Sequence, residues 1–287
     1  STMYNSNELF AGGVIAAANH VADFCKKIDI LTCLGELEDH ETLVSSSLHS
    51  NVELHAVHRP DVPTVKKTRF LDRDYTQKLF EVYSMDDRPL GEQAEAEMLT
   101  FLRDRAGDYD VVIATDFGHG MITPAIQKSL IENSKFLAVN AQSNSANHGF
   151  NLITKYPAAD YICIDSPEAR LAVSNKSIDL ERIADTLLPE RIKCGRLILT
   201  HGRYGCVTYD HTSGVARIPA FTRRVIDTMG AGDAFLAVTS PIVSTGCDMR
   251  MVGFIGNAVG AIKVSILGHR RSVDKVSLAK YLQTLLK

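Results

Sequence analysis

Short apolar runs alternate with amphipathic stretches along most of this chain, and the alternation predicts its architecture. Ile15 to Cys25 reads as a small, alanine-rich helix and Ile28 to Leu34 as a strand. Leu90 to Arg105 has the apolar spacing and charged face of an amphipathic helix. Asp110 to Thr115, Phe136 to Asn140, Tyr161 to Ile164 and Arg196 to Thr200 are apolar throughout, as strands of a parallel sheet covered on both faces are. Thr123 starts a helix with Pro124 in its first turn. Gly205 to Tyr209 and Val215 to Pro219 flank Asp210-His-Thr-Ser-Gly214 and predict a hairpin. Ala234 to Val243, Met251 to Ile266 and Val276 to Leu286 close the chain as helices. Thr64 to Tyr83 alternates enough for two strands of a small accessory sheet, at about residues 64–83. The expectation is one α/β domain over residues 1–287, without internal repeats.

Composition narrows the function classes. With 287 residues, 45% hydrophobic and 23% charged, the chain can bury a sizeable core. A net charge of −3 gives no electrostatic reason to expect nucleic acid or an anionic membrane as partner. The N-terminal Ser1 to Asn7 lacks the basic and apolar regions of a signal peptide. The six cysteines are scattered without a Cys-x-x-Cys pair, which points to free thiols and a cytoplasmic location. No His-Glu-x-x-His occurs, and His55 and His58 read as strand residues, so a structural zinc is not expected.

The segment with the clearest chemistry is Asp227-Thr-Met-Gly-Ala-Gly-Asp233, ahead of a helix expected near Ala234. Glycines let backbone approach a ligand closely, and the first N–H groups of a helix are orphan donors in a field that favours anions. Such a loop suits a phosphoryl group in transfer. Asp233 can accept the proton of an attacking hydroxyl, and the helix dipole is expected to lower its pKa and keep it ionised. Read blandly, the same segment is a tight turn with an N-terminal acid. No Gly-x-x-x-x-Gly-Lys-Ser/Thr loop is present, and no Gly-x-Gly-x-x-Gly follows the first strand, which disfavours P-loop and classical dinucleotide-binding enzymes.

The heptapeptide resembles the signature of the PfkB, or ribokinase-like, carbohydrate kinases, Asp-Thr-x-Gly-Ala-Gly-Asp, at every fixed position. Other segments resemble that family too. Gly12-Gly13 is similar to its early sugar-site element, Val112 to Gly120 to its segment with Asp-Tyr-x-x-Gly, and Asp165-Ser-Pro-Glu168 to its Asn-x-x-Glu. Leu199 to Gly205 resembles the strand and turn beside the nucleotide, Asn257 an adenine-side helix position, and Gly268 the glycine after that helix. Within the family, Lys67 to Leu79 and Asp116 to Met121 are similar to the heptose-phosphate kinase domain of ADP-heptose synthesis.

The resemblance implies a mostly parallel central sheet with helices on both faces and a small accessory sheet acting as a lid. It implies ATP and Mg²⁺ as cofactors, with a sugar or sugar phosphate as acceptor. Asp233 would be the catalytic base, and the backbone of Gly230, Ala231 and Gly232 would cradle the phosphoryl group. Thr200, Gly202, Gly205, Asn257 and Gly268 would line the nucleotide, and Glu168 would hold Mg²⁺ through water. Gly12, Gly13, Lys67, Arg69 and Asp116 would contact the acceptor. Lys67, Arg69, Arg73 and Lys78 read equally as a charged strand face, Gly202 and Gly205 as turn glycines, and Asn257 as helix packing. A homodimer and a fused nucleotidyltransferase-type domain are both compatible with the resemblance.

The chain departs from the family at several places. Gly12-Gly13 comes early, so a first strand would be missing ahead of it, through a fragment or through loss, and a sheet edge would be left unpaired. Ala16 and Ala17 lie where the family carries a sugar-binding Asn. Asn140 to His148 replaces an Asp-Pro-Lys element, offering Asn140, Gln142, Asn144 and Asn147 as a polar lining or as plain loop residues. Asp165 replaces an Asn, and Pro241 is expected to kink or end the helix after Asp233. The alternatives are a nucleoside or vitamin kinase of the same architecture, or a non-catalytic kinase-like binding module of a larger bifunctional protein.

Overall fold

The computed structural model describes residues 5–37, 40–72, 78–222 and 225–287. Helix α1 (Val14–Val21) leads into strand β1 (Ile28–Gly35), and α2 (Glu41–Ser46) leads into β2 (Val52–Arg59). Strands β3 (Lys66–Leu71) and β4 (Lys78–Ser84) follow, then α3 (Glu92–Arg105), β5 (Val112–Asp116), α4 (Pro124–Asn133) and β6 (Leu137–Ala141). Next come β7 (Tyr161–Asp165), α5 (Ser166–Ala172), α6 (Leu180–Arg182), β8 (Arg196–Thr200), β9 (Cys206–Asp210) and β10 (Gly214–Ile218). Helices α7 (Ala231–Ser244), α8 (Met249–Lys263) and α9 (Lys275–Leu285) end the chain.

The main sheet has six strands in the order β10-β9-β8-β7-β6-β5. Strands β5 to β8 run parallel, and β9 and β10 add the expected antiparallel hairpin. Alternate strand residues divide between two cores. Leu137, Val139, Ile162, Ile164, Leu197 and Leu199 pack with Met98, Ile126, Leu130 and Ala169 from α3, α4 and α5. Ala138, Tyr161, Cys163 and Ile198 pack on the other face with Phe235, Leu236, Met249 and Val252 from α7 and α8. Burial on both faces explains why these strands are apolar throughout.

Strands β1 and β2 form a separate parallel pair, not hydrogen-bonded into the six-stranded sheet. Val57 joins the core around Met98 and Ala114, with Leu31 and Cys33 packed against it. Asp29 of β1, whose side chain is almost fully buried, pairs with Lys27 and Arg105 and accepts from Tyr109. Asp29, Glu53 and His55 lie close together, but their charge is shared with Lys27 and Arg105.

Strands β3 and β4 make the expected accessory ribbon, paired Lys67 to Tyr83 and Arg69 to Glu81. Arg73 lies outside the described residues. The alternation gives the ribbon two chemically distinct faces. Lys67, Arg69, Glu81 and Tyr83 are half-buried, whereas Phe70, Phe80 and Val82 are exposed, the two phenyl rings stacked at 4.4 Å.

Two local expectations are corrected. Helix α7 begins at Ala231, not near Ala234, so Gly232 and Asp233 lie inside its first turn. Pro241 does not end the helix, which runs to Ser244; the proline lies within its last turn. All six cysteines are unpaired. Among the described residues, no helix is long and apolar enough to cross a membrane.

Candidate active site

Gly230 is the N-cap of α7 and adopts a left-handed backbone, φ 69°. A Cβ there would come within 2.9 Å of the His269 ring and 3.6 Å of Lys263 Cε, so both conformation and space select glycine. The Ala231 N–H turns back to Thr228 O at 3.2 Å. The N–H groups of Gly232 and Asp233 have no acceptor among the described residues. The donors left open at this helix start are therefore those of Gly232 and Asp233, while the Ala231 N–H is engaged in the turn. Asp227 ties this turn down, its carboxylate accepting from Met229 N at 2.9 Å and from Gly268 N at 2.8 Å.

Asp233 is 8% exposed. Burial pushes its pKa up to about 6, against the opposing charges of Lys67 and Lys263. The expected lowering by the helix dipole is thus overturned, because desolvation of a buried carboxylate outweighs the dipole. Gln142 Nε2 donates to Asp233 Oδ1 at 3.4 Å. Of the four amides singled out in the sequence, only Gln142 reaches the candidate base. Asn140 donates to Cys163 O, and Asn144 and Asn147 both donate to Phe117 O, so these three hold the loop together.

Glu168 is the third residue of α5 and closes a capping box with Asp165. Its carboxylate accepts from Ser143 N at 3.1 Å and from Asp165 N at 2.8 Å. Burial first, then the charge of Asp165, raises its pKa to about 8, and Asp233 adds to the rise. The charge of Asp233 thus reaches Glu168 across the end of the sheet. The donor set is hard carboxylate oxygen, and a divalent cation there would offset the burial that raises both acids, which fits Mg²⁺ held through water.

The acceptor-side candidates separate into two groups. Lys67 is half-buried, its ammonium over the Tyr83 ring at 5.0 Å and its charge felt by Asp233 and His119. Arg69 bonds Glu81 and donates to Met229 Sδ, which joins the ribbon to the Asp227–Gly230 turn. Lys78 is exposed and pairs with Glu81 at 3.4 Å. Gly13 caps α1 with Phe117 against it, and Gly12 lies beside His269. Asp116 is different. It is 3% exposed, and its carboxylate accepts from Gly118 N, Asn151 Nδ2 and Tyr156 Oη and pairs with Lys155. Those bonds make it the hub of the 116–156 loops.

Among the residues expected to line a nucleotide, Thr200 ends β8, and Gly202 begins a 3₁₀ turn that closes at Gly205. Gly205 has φ 90°, and a Cβ there would lie 1.9 Å from Ile218 O. Asn257 donates to Ile218 O at 3.1 Å and Pro219 O at 2.9 Å. The structure therefore brings Gly205 and Asn257 together at the end of β10. Gly268 does not join them; its N–H and carbonyl are engaged by Asp227 and Lys263 beneath the Asp227–Gly230 turn.

Sequence reasoning missed Lys263. It is fully buried and donates to Gly268 O at 3.0 Å. The available signal was one lysine inside the otherwise uncharged run Val252 to Leu267.

The profile described as pfkB family carbohydrate kinase matches residues 5–275. The chain belongs to that family. Curated relatives include a bifunctional protein HldE of Citrifermentans bemidjiense, 24% identical over 91% of this chain. Another HldE, from Bradyrhizobium diazoefficiens, is 23% identical over 91% of the chain. The chain spans about half the length of these relatives, 53% in both cases. The fold is ribokinase-like. Phosphofructokinase-2 of Escherichia coli, solved with substrates and products, superposes with a TM-score of 0.75 at 13% identity, covering 99% of this chain and 94% of that one. Ribokinase of Arabidopsis thaliana, solved with ribose and ATP, gives 0.71 at 14% identity, covering 99% and 91%.

Proposed function

We propose that this chain transfers the γ-phosphoryl group of ATP to a hydroxyl of a phosphorylated sugar of the heptose-phosphate kind. The observation that carries the reading is Asp233, a buried carboxylate beside two N–H groups at a helix start that have no acceptor among the described residues. An acceptor hydroxyl placed against Asp233 gives its proton to the carboxylate as the phosphoryl group arrives. The Gly232 and Asp233 N–H groups receive the negative charge that develops, an effect of about 3 kcal/mol per donor in comparable sites.

Mg²⁺ accompanying the nucleotide supplies neutralisation of phosphate charge. Glu168, fixed by its two backbone donors, would hold that ion through water. Lys67, on the inner face of the ribbon, points to an anionic group on the acceptor, since ammonium and guanidinium groups pair with phosphate. Arg69, bound to Glu81 and Met229, holds the ribbon against the turn. The relatives named bifunctional, twice as long as the matched region, support a second activity carried elsewhere in a longer polypeptide.

The test is ADP release with MgATP across sugar phosphates, free sugars and nucleosides, with Asp233→Asn as control. Turnover of sugar phosphates, lost in the variant, is expected. Preference for free sugars or nucleosides removes the heptose-phosphate assignment, and silence across the panel favours a kinase-like binding module.

A further inference from the structure

Among the described residues, Lys263 is the charged side chain with the least exposed surface, none at all. Taking an ammonium out of water costs several kcal/mol unless its charge is compensated nearby. Its one hydrogen-bond partner among the described residues is a neutral carbonyl, Gly268 O at 3.0 Å. No carboxylate lies within ion-pair distance among the described residues, yet Asp227 and Asp233 both act to raise its pKa against burial. Both oxygens of Asp227 are already taken, by Met229 N and Gly268 N. An ordinary salt bridge would use one of them.

The connections form a chain that ends at the catalytic turn. The Lys263 ammonium holds the Gly268 carbonyl, the Gly268 N–H holds Asp227, and Asp227 holds Met229, the residue before Gly230. The alkyl stem of Lys263 passes directly under Gly230. Residues Ile226 and Asp227 also donate their N–H groups to Val264 O, one position beyond Lys263. The end of α8 is thus the floor on which the turn is built.

We propose that Lys263 is a positioning residue for phosphoryl transfer, a built-in cation that fixes the Asp227 to Gly230 turn and opposes the negative charge gathered at Asp233. The groups facing it come from several elements. They are His20 of α1, His269, Asp227, and Asp233 of α7, with Lys67 and Arg69 of β3 beyond them. Burial holds both histidines well below their usual range, so they are neutral near pH 7. Lys263 then stands as the cation under the turn, and Lys67 as the cation on the ribbon side. The proposal gives Lys263 its role in catalysis only through the kinase reading, but its effect on Asp233 is independent of the acceptor.

The decisive experiment follows the Asp233 carboxyl by ¹³C NMR, assigned with Asp233→Asn, in the wild type and in Lys263→Met, which keeps the stem and removes the charge. The Asp233 titration is expected to move up by about one pH unit in Lys263→Met. On an acceptor that the wild type phosphorylates, kcat at pH 7 should fall about 10- to 100-fold. The acceptor KM should stay within about threefold, and the acid limb of kcat should shift with the titration. In Lys263→Ala, ammonium chloride should raise Tm above tetramethylammonium chloride at equal ionic strength, with no such difference in the wild type. An unmoved Asp233 titration overturns the proposal. A wild-type Lys263 Nζ resonance of a neutral amine at pH 7 also overturns it, and that measurement decides the matter if neither variant folds. If the wild type phosphorylates nothing, the kinase reading fails while the titration still decides Lys263.

Discussion

Gln142 donates across the end of the sheet to Asp233, joining the loop after β6 to the first turn of α7. The bond favours the ionised carboxylate, so losing it should make Asp233 a poorer base at low pH. Gln142→Ala is expected to lower kcat several-fold at pH 6 and less at pH 8. A pH–rate profile checks this; equal loss at both pH values would assign Gln142 to packing alone.

Asp233→Asn should lower kcat by about 10²- to 10⁴-fold. Its effect on stability has the opposite sign. The folded protein binds the Asp233 proton more tightly than the unfolded chain does, with a pKa of about 6 against the ordinary 3.8. Stability from this group is therefore full below about pH 4 and lost as pH rises through about 6. The asparagine does not titrate, so the variant should be more stable than the wild type at pH 8, by up to about 3 kcal/mol, and no more stable at pH 4. Urea midpoints at the two pH values measure the difference. A variant less stable than the wild type at pH 8 would show that the carboxylate is held by bonds stronger than those seen here.

Lys67→Met should weaken binding of a phosphorylated acceptor and leave a free sugar little affected. It should also move the acid limb of kcat to higher pH, because one of the two cations opposing burial of Asp233 is gone. Salt should weaken acceptor binding in the wild type more than in the variant. Comparable KM changes for charged and neutral acceptors would place the acceptor's phosphate away from the ribbon.

Gly205→Ala and Gly202→Ala separate structure from ligand contact on the nucleotide side. Both glycines have positive φ, and an alanine in that region costs about 1–2 kcal/mol. At Gly202 the added methyl meets nothing within 4 Å, whereas at Gly205 it strikes the Ile218 carbonyl. Gly205→Ala should destabilise clearly more, by about 3 kcal/mol or above. Equal urea midpoints for the two variants would contradict the close approach of Gly205 to β10.

Asp116→Asn should destabilise by about 2–3 kcal/mol, because Lys155 loses its charged partner in a mostly buried site. A full-strength fold with only a raised acceptor KM would instead return Asp116 to the substrate side.

The fold was legible where physics is local and repeated. Strands such as Leu137–Ala141 and Tyr161–Asp165 are apolar on both faces, and a parallel, doubly covered sheet is what such runs form. The ribbon over Lys66–Ser84 showed in its alternation. The start of α7 was less legible, because glycines carry no strong helix signal and Gly232 is helical only through the turn that Gly230 makes. The sign of the Asp233 shift could not be read at all: burial is a property of the packed whole, whereas the helix start is visible in the sequence. Lys263 was hidden for the same reason. A lysine at the end of a helix ordinarily turns to water, and only the tertiary arrangement around Gly268 turns it inward.

The inner face of the ribbon has a further consequence. Asp233 is opposed by one cation fixed in α8 and another carried on β3, and only the second can move away with the ribbon. Ribbon position and protonation of Asp233 are therefore thermodynamically linked, and linkage is reciprocal. Were the ribbon lifted off the turn, the Asp233 carboxylate would hold its proton more tightly. Uptake of that proton in turn loosens the ribbon. Amide exchange in Lys66–Leu71 should accordingly quicken as pH falls through about 6, beyond the intrinsic trend, and should not do so in Asp233→Asn.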